Sequence, residues 1–108
     1  MPIEKWSDTI VVVHLADDPQ FSEDLQSLGA PLRHHSSIVL NFNGVRYINS
    51  SNISRLLKLR KQLSSTDARL ILCGLNTQVW SVFLVTGLDK IFEFSDNVPT
   101  ALATLQID

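Results

Sequence analysis

The chain has 108 residues, 44% of them apolar and 19% charged, with a formal net charge of −2. That length suits one domain spanning residues 1–108, with enough apolar material for one core. The charge balance excludes the basic footprint of a nucleic-acid-binding protein and a polybasic membrane-docking segment. The longest apolar runs, such as Ile10 to Val13 and Val82 to Val85, fall far short of the roughly 20 residues of a membrane span, so no direct membrane insertion is expected. The opening Met-Pro-Ile-Glu-Lys-Trp lacks the apolar core and cleavage site of a secretory signal. The single cysteine, Cys73, cannot form an internal disulfide, and a cytoplasmic location is expected.

Short β-branched runs alternate with segments of helical period. Thr9 to Leu15 reads as a strand, nearly continuous in Ile and Val. Asp18-Pro19 predicts a helix start, with Asp18 as N-cap and Pro19 in the first turn. Phe21, Leu25, Leu28 and Leu32 follow on one helical face, and Gly29 and Pro31 weaken its end. Ser37 to Phe42 is the second strand, its consecutive Ile38, Val39 and Leu40 calling for burial on both faces. Asn43-Gly44 marks a turn. A helix from Ser51 to Leu63 should turn Ile53, Leu56, Leu57 and Leu63 inward and leave Arg55, Lys58, Arg60 and Lys61 in solvent.

Arg69 to Cys73 is the third core strand, ended by Gly74. Asn76 or Thr77 then caps a helix running to Thr86, where Gly87 stops it. Ile91 to Phe94 is a short strand, and Pro99 to Leu105 a closing helix with Asn97 as its cap. The alternation predicts an α/β fold: a four- to five-stranded, largely parallel sheet with right-handed crossovers and about four helices. One strand could come from the first few residues.

Two stretches carry a family pattern. The first is Ile38-Val39-Leu40-Asn41-Phe42-Asn43-Gly44-Val45-Arg46-Tyr47-Ile48-Asn49-Ser50-Ser51-Asn52. The second is Leu70-Ile71-Leu72-Cys73-Gly74-Leu75, followed by Val79, Phe83, Thr86-Gly87-Leu88-Asp89-Lys90 and Ile91-Phe92. Together they resemble the STAS family, in its anti-sigma factor antagonist type, over residues 9 to 105. That family has a buried strand, a short turn and a hydrophobic pair, then Asp-Ser-Ser/Thr-Gly opening a helix. Its third strand is followed by a helix that ends in Thr-Gly-Leu. The chain departs from the pattern at Asn49, where the family has Asp, and at Asn52, where it has Gly. It also carries Ala16-Asp17-Asp18-Pro19 in place of a Gly-Glu-Leu-Asp-like loop.

The resemblance implies a regulatory protein-interaction domain, not an enzyme. It implies no cofactor, and a partner that is a serine-kinase anti-sigma factor. Ser50 matches the phosphoacceptor position. Physical chemistry is compatible with that role, because a helix N-terminus offers unpaired N–H groups and the positive end of the dipole to a phosphate. The other reading is that Ser50 and Ser51 simply cap the helix. Asn49 and Asn52 are read as partner contacts at the same surface, or as an ordinary loop–helix junction. Trp80 and Leu84, four apart beside the inward face formed by Val79, Phe83 and Thr86, are a wide buried stripe, or a Trp covering the sheet edge, or else a patch for a partner or a second copy.

His14, His34 and His35 stand without Cys or carboxylate partners at metal spacing. Cys73 reads as a small core residue. Asp17, Asp18, Glu23 and Asp24 are read as favouring a helix N-terminus. No phosphate-cradling glycine motif and no nucleophile constellation is present. The rival to the phosphorylated switch is a non-phosphorylated STAS scaffold or transporter-associated subunit, which the loss of the carboxylate at Asn49 favours.

Overall fold

The computed structural model describes residues 3–28, 37–64 and 66–107. Its strands form one five-stranded sheet in the order β1-β2-β3-β4-β5. These are β1 (Ile3–Lys5), β2 (Ile10–Ala16), β3 (Ser37–Gly44), β4 (Leu70–Cys73) and β5 (Glu93–Ser95). The edge strand β1 is antiparallel to β2, and every other pairing is parallel. The helices are α1 (Gln20–Ser27), α2 (Ser50–Leu63), α3 (Thr77–Thr86) and α4 (Val98–Ile107).

Strand order explains the layering. Each of β2, β3 and β4 is followed in space by its sequence neighbour, so right-handed crossovers stack α1, α2 and α3 on one face. In β2, Val11, Val13 and Leu15 point to that face, while Ile10 and Val12 point to the other, where Val98, Ala101, Leu102 and Leu105 of α4 cover them. The register carries both layers across the sheet: Val13 pairs with Leu40 and Leu40 with Leu72, while Val12 pairs with Val39 and Val39 with Ile71. Both faces are dry, which is why these strands are apolar without alternation. Each such side chain contributes about 1.5–3 kcal/mol on burial.

The sheet, its parallel sense and the buried Val11, Val13, Val39, Leu40, Leu70 and Leu72 agree with the sequence reading. Several local expectations are corrected. On α2 the inward residues are Asn52, Leu56, Leu59 and Leu63, spaced four, three and four, so Leu59 takes the place assigned to Leu57, which is exposed. On α3, Val79 and Phe83 are buried, but Thr86 is exposed and its hydroxyl donates to the Val82 carbonyl at 2.7 Å. The boundary residue of α1 is Pro19. Asp18, one position earlier, still accepts from the Ser22 backbone N–H at 3.0 Å. The last strand is Glu93–Ser95, because Leu88–Lys90 forms a 3₁₀ turn after Gly87. Gly87 ends α3 at φ 75°, a left-handed conformation that suits glycine. Leu32, His34 and His35 lie outside the described residues.

Phe83 sits at the centre of the α3 packing, fully buried and edge-on to Phe92 at 5.8 Å and to Phe94 at 5.3 Å. Phe83→Ala should therefore cost about 3–5 kcal/mol. Val85→Ala, on the same helix but 87% exposed, should stay within about 0.5 kcal/mol. Denaturant unfolding of both variants checks this, and similar midpoints would contradict the packing described.

Candidate functional site

The loops that follow β2, β3 and β4 meet at one pole of the sheet, where helices α1, α2 and α3 begin. Parallel strands make this unavoidable, since every strand-to-helix turn lies at the carboxyl ends of the strands. At this pole α2 opens with a capping box made of two asparagines. Asn49 is the N-cap, in extended backbone. Its Oδ1 accepts from the Asn52 N–H at 2.9 Å, and Asn52 Oδ1 accepts from the Asn49 N–H at 3.0 Å. This is the reciprocal pattern usually built from Ser/Thr and Glu/Gln, and it satisfies two orphan donors at once.

Asn52 is only 2% exposed, and its Nδ2 donates to Asp18 Oδ2 at 2.8 Å. The expectation that Asn52 is a partner contact is thereby corrected. With its oxygen turned to the cap and its amide to a neighbouring loop, it is an internal brace. Asp18 Oδ1 accepts from the Ser22 N–H and, at 2.8 Å, from the Ser22 hydroxyl. The starts of α1 and α2 are thus bolted together through one carboxylate.

The neighbouring residues extend the brace. Asp17 accepts from the Arg46 backbone N–H at 2.8 Å and from Arg46 Nε at 2.7 Å. Asn76 caps α3 by accepting from the Val79 N–H at 2.7 Å. Its Nδ2 also donates to the Val45 and Arg46 carbonyls, each at 3.3 Å. Gly74 allows close approach beneath these loops: at φ +73°, a Cβ there would lie 2.6 Å from Asn43 Oδ1. The acidic cluster therefore does more than favour a helix N-terminus. Asp17 and Asp18 fix loop geometry, and nothing in the local sequence marked Arg46 and Asn52 as their counterparts, 29 and 34 residues away.

Within this frame Ser50 and Ser51 are exposed on the first turn of α2. Their hydroxyls carry no hydrogen bond among the described residues. The capping role that competed for Ser50 belongs to Asn49. Tyr47, 50% exposed, flanks them and was not singled out in the sequence. Trp80 and Leu84 lie on α3 and part company. The Trp80 ring is half-buried, edge-on to Phe94 at 4.9 Å, whereas Leu84 is 49% exposed. Beside Leu84, Val85 adds to the apolar surface.

Elsewhere, His14 bridges Glu4 Oε1 at 3.1 Å and Asn41 Nδ2 at 3.0 Å. Cys73 is buried, and burial pushes its thiol up to about 11. Among the described residues no group of three His, Cys, Asp or Glu is placed to hold a metal ion, and no helix is long and apolar enough to cross a membrane.

The brace has a pH signature. The Arg46 hydrogen bonds hold the Asp17 carboxyl below its ordinary value of 3.8. Desolvation opposes the same trend at Asp18, but hydrogen bonds from Asn52 and Ser22 outweigh it. A carboxyl with a depressed folded-state value contributes stability that is complete above the ordinary value and is lost as pH falls through the folded one. The melting temperature should therefore fall on acidification below about pH 4. The fall should be shallower in the Asp17→Asn, Asp18→Asn double variant. Superimposable pH profiles for the two proteins would remove the brace as a source of acid sensitivity.

The family model described as STAS domain matches residues 4–101. BtrV of Bordetella bronchiseptica, assigned to the anti-sigma factor antagonists, is 30% identical over 69 residues, which cover 64% of this chain and 60% of BtrV. The match thus spans less than two thirds of that relative. SpoIIAA, an anti-sigma factor antagonist, superposes in its unphosphorylated form with a TM-score of 0.83 at 19% identity, over 98% of this chain and 96% of its own. The phosphorylated Bacillus SpoIIAA gives 0.73, also at 19% identity, over 98% and 97%. A chain of the stressosome, a signal integration and transduction hub, gives 0.71 at 20% identity, over 97% and 96%. At these identities the superpositions establish the fold, and the family match establishes kinship: the chain belongs to the STAS domain family.

Proposed function

We propose that this protein is a cytoplasmic regulatory switch of the anti-sigma factor antagonist type. It acts by binding a serine-kinase anti-sigma factor, and phosphorylation of Ser50 turns it off. It works by binding and not by catalysis. The observation that carries this reading is the free hydroxyl of Ser50, exposed on a helix whose capping is already supplied by Asn49 and Asn52. A phosphate there would sit beside the helix N-terminus, where N–H groups and the dipole favour an anion. It would add roughly −1.5 to −2 charge to the contact surface. The domain would keep its fold, because the brace of Asn49, Asn52 and Asp18 does not involve Ser50. The partner would lose its fit. Asn49 and Ser51, on either side of Ser50, complete the contact surface.

One observation favours a second reading, a STAS scaffold or transporter-associated subunit that is never phosphorylated. The residue before Ser50 is a neutral amide spent on the cap, so no carboxylate stands next to the hydroxyl in sequence. Phosphosite mapping by mass spectrometry after incubation with the cognate kinase separates the readings. Phosphate on Ser50 is expected, with Ser50→Asp losing partner binding and Ser50→Ala binding constitutively. Phosphate elsewhere, or none, would favour the scaffold.

Trp80 and Leu84 are proposed as a second contact surface, for a partner or another copy of the chain. Leu84→Glu should leave the fold intact, since Leu84 is half exposed, and should reduce association in sedimentation. Trp80→Glu should in addition lower the melting temperature, because its ring packs on Phe94 and a charge there would be partly buried. Unchanged sedimentation and partner affinity in a folded Leu84→Glu protein would discard this surface.

A further inference from the structure

Between the start of α3 and the end of β5 lies a cleft of about 300 Å³, lined by Leu75, Trp80, Phe94, Ser95 and Asp96. Its aromatic wall is rigid: Trp80 and Phe94 meet edge to face at 4.9 Å and 84°, and Phe94 is braced from below by Phe83. Its rim is pinned where the Gly74 N–H donates to the Asp96 carbonyl at 3.2 Å. The polar side chains of the rim are uncommitted. Neither the Asp96 carboxylate nor the Ser95 hydroxyl has a hydrogen bond or ion pair among the described residues, and no cation lines the cleft.

A lone carboxylate and a hydroxyl beside two aromatic rings suit a cation with a flat, weakly hydrated face. We propose that the cleft is a receptor for an arginine side chain of the protein partner. The guanidinium would donate to the Asp96 carboxylate and to Ser95 Oγ in charge-assisted bonds. It would also lie against the Trp80 ring, where cation–π attraction operates, with its stem on Leu75 and Phe94. A lysine ammonium, compact and strongly hydrated, fits the rings less well, and Asp96 repels an anion. The position is apt: Asn76, next to Leu75, holds the loop that leads to Ser50 through Val45 and Arg46. This assignment deepens the partner-binding reading and rests on it.

The test needs no partner. Acetyl-arginine-amide is titrated into a Trp6→Phe protein whose fluorescence then reports Trp80 alone. The indole N–H signals of the unaltered protein in ¹H–¹⁵N spectra give the same readout without substitution. A saturable response to the arginine compound is expected, with none from the isosteric, neutral acetyl-citrulline-amide. Asp96→Asn should weaken binding about tenfold at an unchanged melting temperature, and Asp96→Glu should restore most of it. An equal response to citrulline, a response that does not saturate, or an Asp96→Asn protein that binds as before would each overturn the proposal. Failure here would leave the Ser50 switch standing. Failure of Ser50 phosphorylation would not alter the arginine titration.

Discussion

Everything in this molecule depends on a parallel sheet that must be dry on both faces. The layer of Val12, Val39 and Ile71 is useless without α4, and the layer of Val13, Leu40 and Leu72 is useless without the other helices. Parallel strands cannot be joined by a tight hairpin, so each pairing demands a crossover. The crossovers are the helices that cover the sheet. Connectivity and burial are thus a single constraint, and β1, antiparallel and only three residues long, is a cap on the edge and not part of that logic.

The same constraint creates the site. Because every strand-to-helix turn falls at the same end of the sheet, the N-termini of α1, α2 and α3 converge there with their unpaired N–H groups. Such ends are costly when left unsatisfied, and here asparagine and aspartate side chains three or four residues away satisfy them, while their other polar atoms reach across long sequence separations. Asn52 and Asp18 join α1 to α2, and Asn76 joins α3 to the loop entering α2. The outcome is a braced polar platform on which Ser50 and Ser51 are left over. A charge placed on such a residue would change the surface without undoing the frame.

The departure at Asn52 has a local physical account. A glycine at that position could not supply the amide that receives the Asn49 N–H and reaches Asp18. In this chain the helix start is held by side chains. The departure at Asn49 works with it, because a neutral Asn49 oxygen accepts the cap hydrogen bond without placing a second negative charge near Asp18.

How much of this was legible in the residues alone follows from the range of the interactions. The continuous apolar runs around Val11, Val39 and Leu72 determined a two-face-buried sheet, and the helical spacing between them determined the alternation and the parallel sense. Those are short-range patterns with a single economical outcome. Gly87 as the helix stop and a cap at Asn76 or Thr77 were legible for the same reason, and the structure assigns the cap to Asn76. The tertiary structure alone decided which side of α2 faces inward, because Leu57 and Leu59 are equally apolar and only the crossing of α2 over the sheet chooses between them. It alone made Asn52 an internal brace, since that depends on Asp18, 34 residues away. It also divided Trp80 from Leu84: they share a helical face, but only Trp80 finds a ring, that of Phe94, to pack against. A linear pattern shows which residues are apolar or polar. Which of them meet is set by how the helices lie on the sheet.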